Sequence, residues 1–172
     1  MQHDHIDWNQ YRDLCERLVA RVGASGWEFD SLLCLARGGM RPGDIFSRVY
    51  SKPLAIMTTS SYREAAGTVQ GDIAKYITGV SELKGKLLLV DDLCDSGATI
   101  KKVVEHLKRN YPQITEIRVA VIWVKACSVF HPDYSVVQYT DSPWIHQPFE
   151  CYDDIGIEKH LANCRAKFGD AL

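Results

Sequence analysis

The chain lacks the marks of several protein classes. It has no internal repeat, low-complexity tract or obvious linker across its 172 residues, so nothing in the sequence divides it. No apolar run approaches the roughly 20 residues that a bilayer-spanning helix needs. The opening residues, MQHDHIDWNQYRDLC, are polar and lack the apolar stretch of a secretory signal. Twenty basic residues face 22 acidic ones without a Lys/Arg cluster, which gives a nucleic-acid partner no electrostatic support. The six cysteines, at 15, 34, 94, 127, 151 and 164, form no C-x-x-C pair and no Cys/His cluster of zinc-finger spacing. They read as small buried hydrophobes in a reducing compartment. The expectation is a cytoplasmic chain of one domain, 1–172, that binds neither membrane nor nucleic acid.

What is present is ordinary globular material: 46% hydrophobic and 24% charged residues, enough to bury a real core. Apolar side chains at Trp8, Tyr11, Cys15, Leu18, Val19 and Val22 have helical spacing, ended by Gly23 and Gly26. SLLCLA (31–36) reads as a buried strand stopped by Arg37-Gly38-Gly39. A helix is expected from Pro42 to about Tyr50, and a strand at 54–60. Residues 61–79 carry Gly67, Gly71 and Gly79 with little periodicity and read as a mobile excursion. KLLLV (86–90) is the clearest buried strand. Ile100, Val103, Val104 and Leu107 make one helix face, and strands follow at 116–124 and 135–139. Ile157, Leu161, Cys164 and Phe168 predict an amphipathic closing helix. Strands alternating with helices, with near-continuous apolar strands, imply an α/β fold: a doubly wound, mainly parallel sheet.

The informative stretch is Leu88-Leu89-Val90-Asp91-Asp92-Leu93-Cys94-Asp95-Ser96-Gly97-Ala98-Thr99. A strand is read as ending in two carboxylates, followed by a short loop and a helix. In open α/β sheets ligands bind beyond the carboxyl ends of the strands. A helix N-terminus there offers open N–H groups and a positive dipole end, which suits phosphate. Gly97 lets the backbone approach the anion, and Ser96 and Thr99 add hydroxyls. Asp91 and Asp92 can hold sugar hydroxyls, directly or through Mg²⁺. The plainer alternative is a capped helix beside a solvated acidic pair. A strand ending in Asp-Asp also occurs in receiver domains, but Lys125 follows Val124 rather than a Ser/Thr-ended strand.

The whole run resembles the PRPP-binding motif of type I phosphoribosyltransferases and matches it at every position. The similarity is closest to the bacterial xanthine-guanine phosphoribosyltransferase group and covers most of residues 5–152. It includes Trp8, the Ala36-Arg37-Gly38-Gly39 loop, Ser60-Ser61-Tyr62, the motif itself, Lys125 and Trp144-Ile145-His146-Gln147-Pro148-Phe149. The resemblance implies a transferase that moves 5-phosphoribosyl from PRPP to a 6-oxopurine with release of diphosphate, in purine salvage. It implies that Arg37, Gly38 and Gly39 hold the diphosphate, and that Asp95, Ser96, Gly97, Ala98 and Thr99 hold the 5-phosphate end. Asp91 and Asp92 bind ribose or Mg²⁺. Asp95, a candidate general base, and Arg37 are the catalytic pair. Lys125 would donate to the 6-oxo group, Trp144 would stack on the base, and the Ile145 carbonyl would read its 2-position. Residues 61–79 would form the catalytic loop, and 140–172 a base-binding hood with its closing helix. A dimer or tetramer is expected.

Two departures stand out. Ala36 replaces the usual Ser, and His146 replaces the usual Glu beside Trp144. The alternatives are the same fold acting on another nucleophile, or a non-enzymatic regulator that senses PRPP or nucleotide.

Overall fold

The computed structural model describes residues 2–60, 72–73 and 77–169. Most of the expected loop at 61–79 lies outside them. The chain forms two compact units, one of Arg12–Ser142 and one of Met1–Tyr11 with Pro143–Leu172.

The first unit is built on a sheet of β2 (Ser31–Ala36), β3 (Leu54–Ser60), β4 (Asp72–Ile73), β5 (Gly85–Cys94), β6 (Ile114–Val124) and β7 (Tyr134–Gln138), in the order β4-β3-β2-β5-β6-β7. β3, β2, β5, β6 and β7 pair in parallel, and β4 adds a short antiparallel edge on β3. The apolar runs become central strands because both faces are covered: Leu32 to Leu35 and Leu87 to Val90 are all at most 1% exposed. On one face, Leu33, Leu35, Leu87, Leu89, Val119 and Val121 join Ile100, Val103 and Leu107 of helix α3 (Ala98–Asn110) in one cluster. On the other, helix α2 (Met40–Tyr50) lies so close that Gly43 faces Cys34. Helix α1 (Trp8–Ala24) reaches α2 through the Tyr50 hydroxyl, which donates to the Val19 carbonyl at 3.3 Å. The sheet is thus doubly wound, as expected.

The strand order defines where a ligand can sit. From β2 the chain passes to β3 on one side and then to β5 on the other. The loops leaving β2 and β5 therefore diverge, and a crevice opens between their carboxyl ends. These loops begin at Ala36 and Cys94.

In the second unit, β1 (His3–His5) pairs in parallel with β8 (Trp144–His146), in register His3↔Trp144 and His5↔His146. Nothing in the periodicity foretold β1, because a ladder of three residues leaves no repeating pattern. A short 3-10 turn at Glu150–Tyr152 and helix α4 (Ile157–Phe168) follow.

Three expectations need correction. β5 does not stop at Val90; it runs to Cys94, so the acidic pair lies within the strand. Its partner β6 continues alongside as far as Val124, and the ladder carries Asp91 with it. Helix α4 forms as predicted, but none of its residues is buried, and Ile157, Leu161 and Phe168 are 69%, 41% and 53% exposed. An apolar stripe specifies a helix face, yet burial also needs an opposing surface. Finally, Cys15, Cys34 and Cys94 are buried but Cys127 and Cys151 are exposed. Both exposed thiols lie in turns outside the main apolar elements.

Candidate functional site

Both loops at the crevice are shaped by close packing. Gly39 donates its N–H to the Leu35 carbonyl at 2.9 Å, turning the chain from β2 into α2. The Ala36–Arg37 peptide at the head of this turn is cis. Gly38 lies directly against the Asp92 carboxylate, so that any Cβ there would overlap it. The structure therefore brings the Arg37-Gly38-Gly39 loop and the acidic pair together, although 53 residues separate Gly39 from Asp92 in the sequence. Arg37 is exposed at the rim.

Asp91 and Asp92 are each partly buried. Asp91 Oδ1 accepts the Asp92 N–H at 2.9 Å. Burial, and after it the negative charge of Asp92, raise the Asp91 carboxyl well above the usual carboxylate range. Two crowded carboxylates in the C-terminal part of β5 form a hard oxygen donor set. Sugar hydroxyls or a hard cation would relieve their repulsion, so these residues fit Mg²⁺.

The β5–α3 loop follows. Gly97 has φ 75° and caps α3, so the helix N-terminus carries no capping side chain. The Ser96 hydroxyl instead accepts from the Ala98 N–H at 3.4 Å. Behind the loop stands a second segment, of which the sequence singles out only Lys125. Lys125 donates its N–H to the Cys94 carbonyl at 3.1 Å, and Val129 donates to the Ser96 carbonyl at 2.9 Å. This zips residues 125–129 to the end of β5. A Cβ on Gly97 would stand 2.6 Å from Ser128 Oγ and 2.7 Å from Phe130 Cβ. Ser128 and Phe130 thus form the floor of the loop. Their signal was positional: they follow β6, the strand beside β5, and could be found only once the strand order was known.

Cys94 belongs to this floor. Its thiol faces Ser128 Oγ at 3.1 Å and the Phe130 carbonyl at 3.7 Å, and burial raises its pKa. Cys34, beneath the other loop, is pushed up to about 12, by burial first and by the Asp91 charge second. Neither is poised as a nucleophile.

Lys125 is 7% exposed, and its Nζ lies 3.2 Å from Asp95 Oδ2. A buried ammonium needs an anionic or hydrogen-bonding partner, since desolvation costs several kcal/mol when uncompensated. Asp95 is more open, with its side chain 39% exposed. Two residues expected in separate roles are therefore in direct contact.

Trp144 and Ile145 lie in the second unit. Trp144 is 37% exposed and Ile145 5%. Trp144 N–H donates to the Gln2 carbonyl and Ile6 N–H to the His146 carbonyl. Alternation along a parallel ladder then turns the Ile145 carbonyl to the side of β8 away from β1. The departure at His146 has a visible consequence: its ring stacks on those of His3 and His5.

A glycine loop, an acidic pair and an open helix N-terminus at the switch point of a doubly wound sheet form a site that suits a phosphate-bearing ligand. The sequence profile described as "Phosphoribosyl transferase domain" matches residues 7–154, and the chain belongs to that family of transferases. A xanthine-guanine phosphoribosyltransferase of Idiomarina loihiensis is 24% identical over 148 residues, 86% of each chain. The solved structure of a purine phosphoribosyltransferase from Pyrococcus horikoshii superposes with a TM-score of 0.72 at 26% identity, covering 87% of this chain and 95% of that one. A xanthine-guanine-hypoxanthine phosphoribosyltransferase of Helicobacter pylori shares the fold, with a TM-score of 0.72 at 22% identity over 94% and 99% of the two chains. Among the described residues, no helix is long and apolar enough to cross a membrane.

Proposed function

We propose that this chain transfers 5-phosphoribosyl from PRPP to a 6-oxopurine base, releasing diphosphate, as a purine-salvage enzyme. The observation that carries the base assignment is the buried Lys125, paired with the more open Asp95 at 3.2 Å beside the phosphate-type loop. The Lys125 ammonium has three donors, so it can take a ligand carbonyl as a further acceptor while Asp95 keeps its place. An exocyclic amine in that position would offer it no acceptor. The names of the Idiomarina and Pyrococcus proteins support a purine as acceptor.

In this reading the 5-phosphate sits on the Ser96–Thr99 loop, where first-turn N–H groups of α3 and the Ser96 and Thr99 hydroxyls donate to it. The Arg37-Gly38-Gly39 loop receives the diphosphate. Asp91 and Asp92 hold the ribose hydroxyls or Mg²⁺; when bound, the ion would neutralise charge on the departing diphosphate. A ring nitrogen of the base forms the new bond to the anomeric carbon as the bond to diphosphate breaks. Asp95 is the acceptor for the proton that the base loses. The reaction depends on positioning and charge stabilisation rather than on a protein nucleophile. By the resemblance, Trp144 stacks on the base and the Ile145 carbonyl reads its 2-position.

The test is incubation of the protein with PRPP, Mg²⁺ and guanine, xanthine, hypoxanthine or adenine, with nucleotide and diphosphate measured together. Nucleotide from the 6-oxopurines at least tenfold faster than from adenine is expected. Diphosphate release without nucleotide from any base would point to another nucleophile. PRPP binding without turnover would point to a sensor.

A further inference from the structure

The β1–β8 ribbon brings together three histidines that the proposed transferase reaction does not use. His3 and His5, two residues apart on one strand, share a face. His146 stands opposite His5 in the ladder. Its ring packs against both, with centroids 5.1 Å from His3 and 4.3 Å from His5 and planes within 10° of parallel, while the His3 and His5 centroids are 6.4 Å apart. His3 Nδ1 and His146 Nε2 are 2.8 Å apart and share a hydrogen bond. One ring nitrogen from each of the three lies within 4.8 Å of the others.

We infer that His3, His5 and His146 form a site for Zn²⁺ that fastens the N-terminal strand to β8. A cation can replace the single proton that bridges His3 and His146, since both nitrogens then act as lone-pair donors. Imidazole is a borderline ligand that suits Zn²⁺ and not Mg²⁺ or Ca²⁺. Tetrahedral Zn–N bonds of about 2.0–2.1 Å place ligand nitrogens roughly 3.3 Å apart. The 2.8 Å pair must open slightly, His5 must close in, and the rings must turn out of their near-parallel stack so that their in-plane lone pairs converge. His3 and His5 are exposed, so their side chains can make that adjustment while the backbone ladder holds its register. Glu150 supplies an independent indication. Its Oε2 lies 3.7 Å from Nδ1 of His146, the nitrogen not engaged with His3. A carboxylate on the distal nitrogen is the arrangement that orients metal-binding histidines. Water completes the fourth position, because the cluster is open to solvent. The consequence falls on a neighbour: the Trp144 ring is 6.3 Å from that of His146, so the metal would also steady the strand that carries it.

The experiment uses the full chain, stripped of metal by chelator and titrated with ZnCl₂. Nitrogen-15 signals of the six imidazoles are followed by NMR. At one equivalent, the signals of His3, His5 and His146 are expected to shift together, with His106, His131 and His160 unmoved. The same concentration of MgCl₂ should move none. Competition against a chromophoric chelator should show affinity falling at least tenfold in H5Q, more than a hundredfold in the triple variant H3Q/H5Q/H146Q, and about tenfold in E150Q. Shifts confined to His160, which pairs with Cys164 at 3.6 Å, would overturn the inference. So would undiminished Zn²⁺ affinity in the triple variant, or no shift at any histidine. The NMR result stands on the unaltered chain and decides the matter even if the triple variant misfolds.

Discussion

The two units of this chain hold their structure by different means. In the unit of residues 12–142, strand interiors are sealed on both faces, and Leu33, Leu87, Leu88, Leu89 and Val90 have no exposed surface. In the terminal unit, a three-residue ladder joins β1 to β8, and α4 buries no residue. The first unit can therefore carry a site whose parts are fixed to within a Cβ, as Gly38 against Asp92 shows. The second offers rings and backbone on a scaffold with little packing of its own. Positional accuracy belongs to the sheet, and room for adjustment to the terminal unit. Each of the following changes tests that division.

The largest effect is expected at the acidic pair. Asp92→Asn removes a charge held against Gly38 without removing volume. We expect kcat/KM for PRPP to fall about a hundredfold, the scale of losing one well-placed charge-stabilising group. The melting temperature should scarcely move, because the side chain keeps its volume and Asp92 stands outside the apolar core. Full turnover in both Asp91→Asn and Asp92→Asn would reduce the pair to a solvated strand end.

Next comes Lys125→Met. It removes the buried ammonium and with it the ion pair to Asp95. Discrimination between guanine and adenine should collapse by about ten- to a hundredfold, the range for an unmatched buried polar group. A competition assay between the two bases reads this directly. An unchanged preference would move base selection away from the sheet-bearing unit altogether.

Gly97→Ala should cost less, and in stability before chemistry. A left-handed backbone costs about 1–2 kcal/mol for a residue with Cβ, and the Ser128–Phe130 floor leaves no room. For a chain of this size that is roughly 2–8 °C in melting temperature. A calorimetric scan with and without PRPP separates the two effects: loss of the ligand-induced rise as well would show that the loop no longer receives phosphate.

How much of this could be read in the sequence follows the same division. SLLCLA and KLLLV are continuous apolar runs, and such runs become central parallel strands, so the sheet was legible. The motif at 91–99 was legible because its residue types have few uses in combination. The Lys125–Asp95 contact was not, although both residues had been singled out. It depends on β6 lying beside β5, a fact of strand order. The extension of β5 to Cys94 was hidden for a related reason: polar Asp91 and Asp92 break the apolar pattern, while the ladder to β6 is backbone and ignores side-chain type. His3, His5 and His146 were invisible as a group, because 141 residues separate His5 from His146 and β1 has no periodicity to announce it.

The smallest effect is expected on α4, where sequence and structure part most clearly. The spacing of Ile157, Leu161, Cys164 and Phe168 is that of a core-facing stripe, yet Leu161 and Phe168 remain 41% and 53% exposed. If the stripe is open to solvent, the helix is held by its own backbone and not by burial. Substitutions at exposed positions away from special features usually change stability by no more than about 0.5 kcal/mol. Leu161→Ser with Phe168→Ser should then shift the melting temperature by about 4 °C or less, with turnover unchanged. A fall of 5 °C or more would mean that the stripe is covered in solution. The terminal unit would then be packed as the sheet unit is, and the contrast between the two would not hold. Repeating the scan across a hundredfold range of protein concentration locates the cover: a melting temperature that rises with concentration places it on another chain, and one that does not places it within this one.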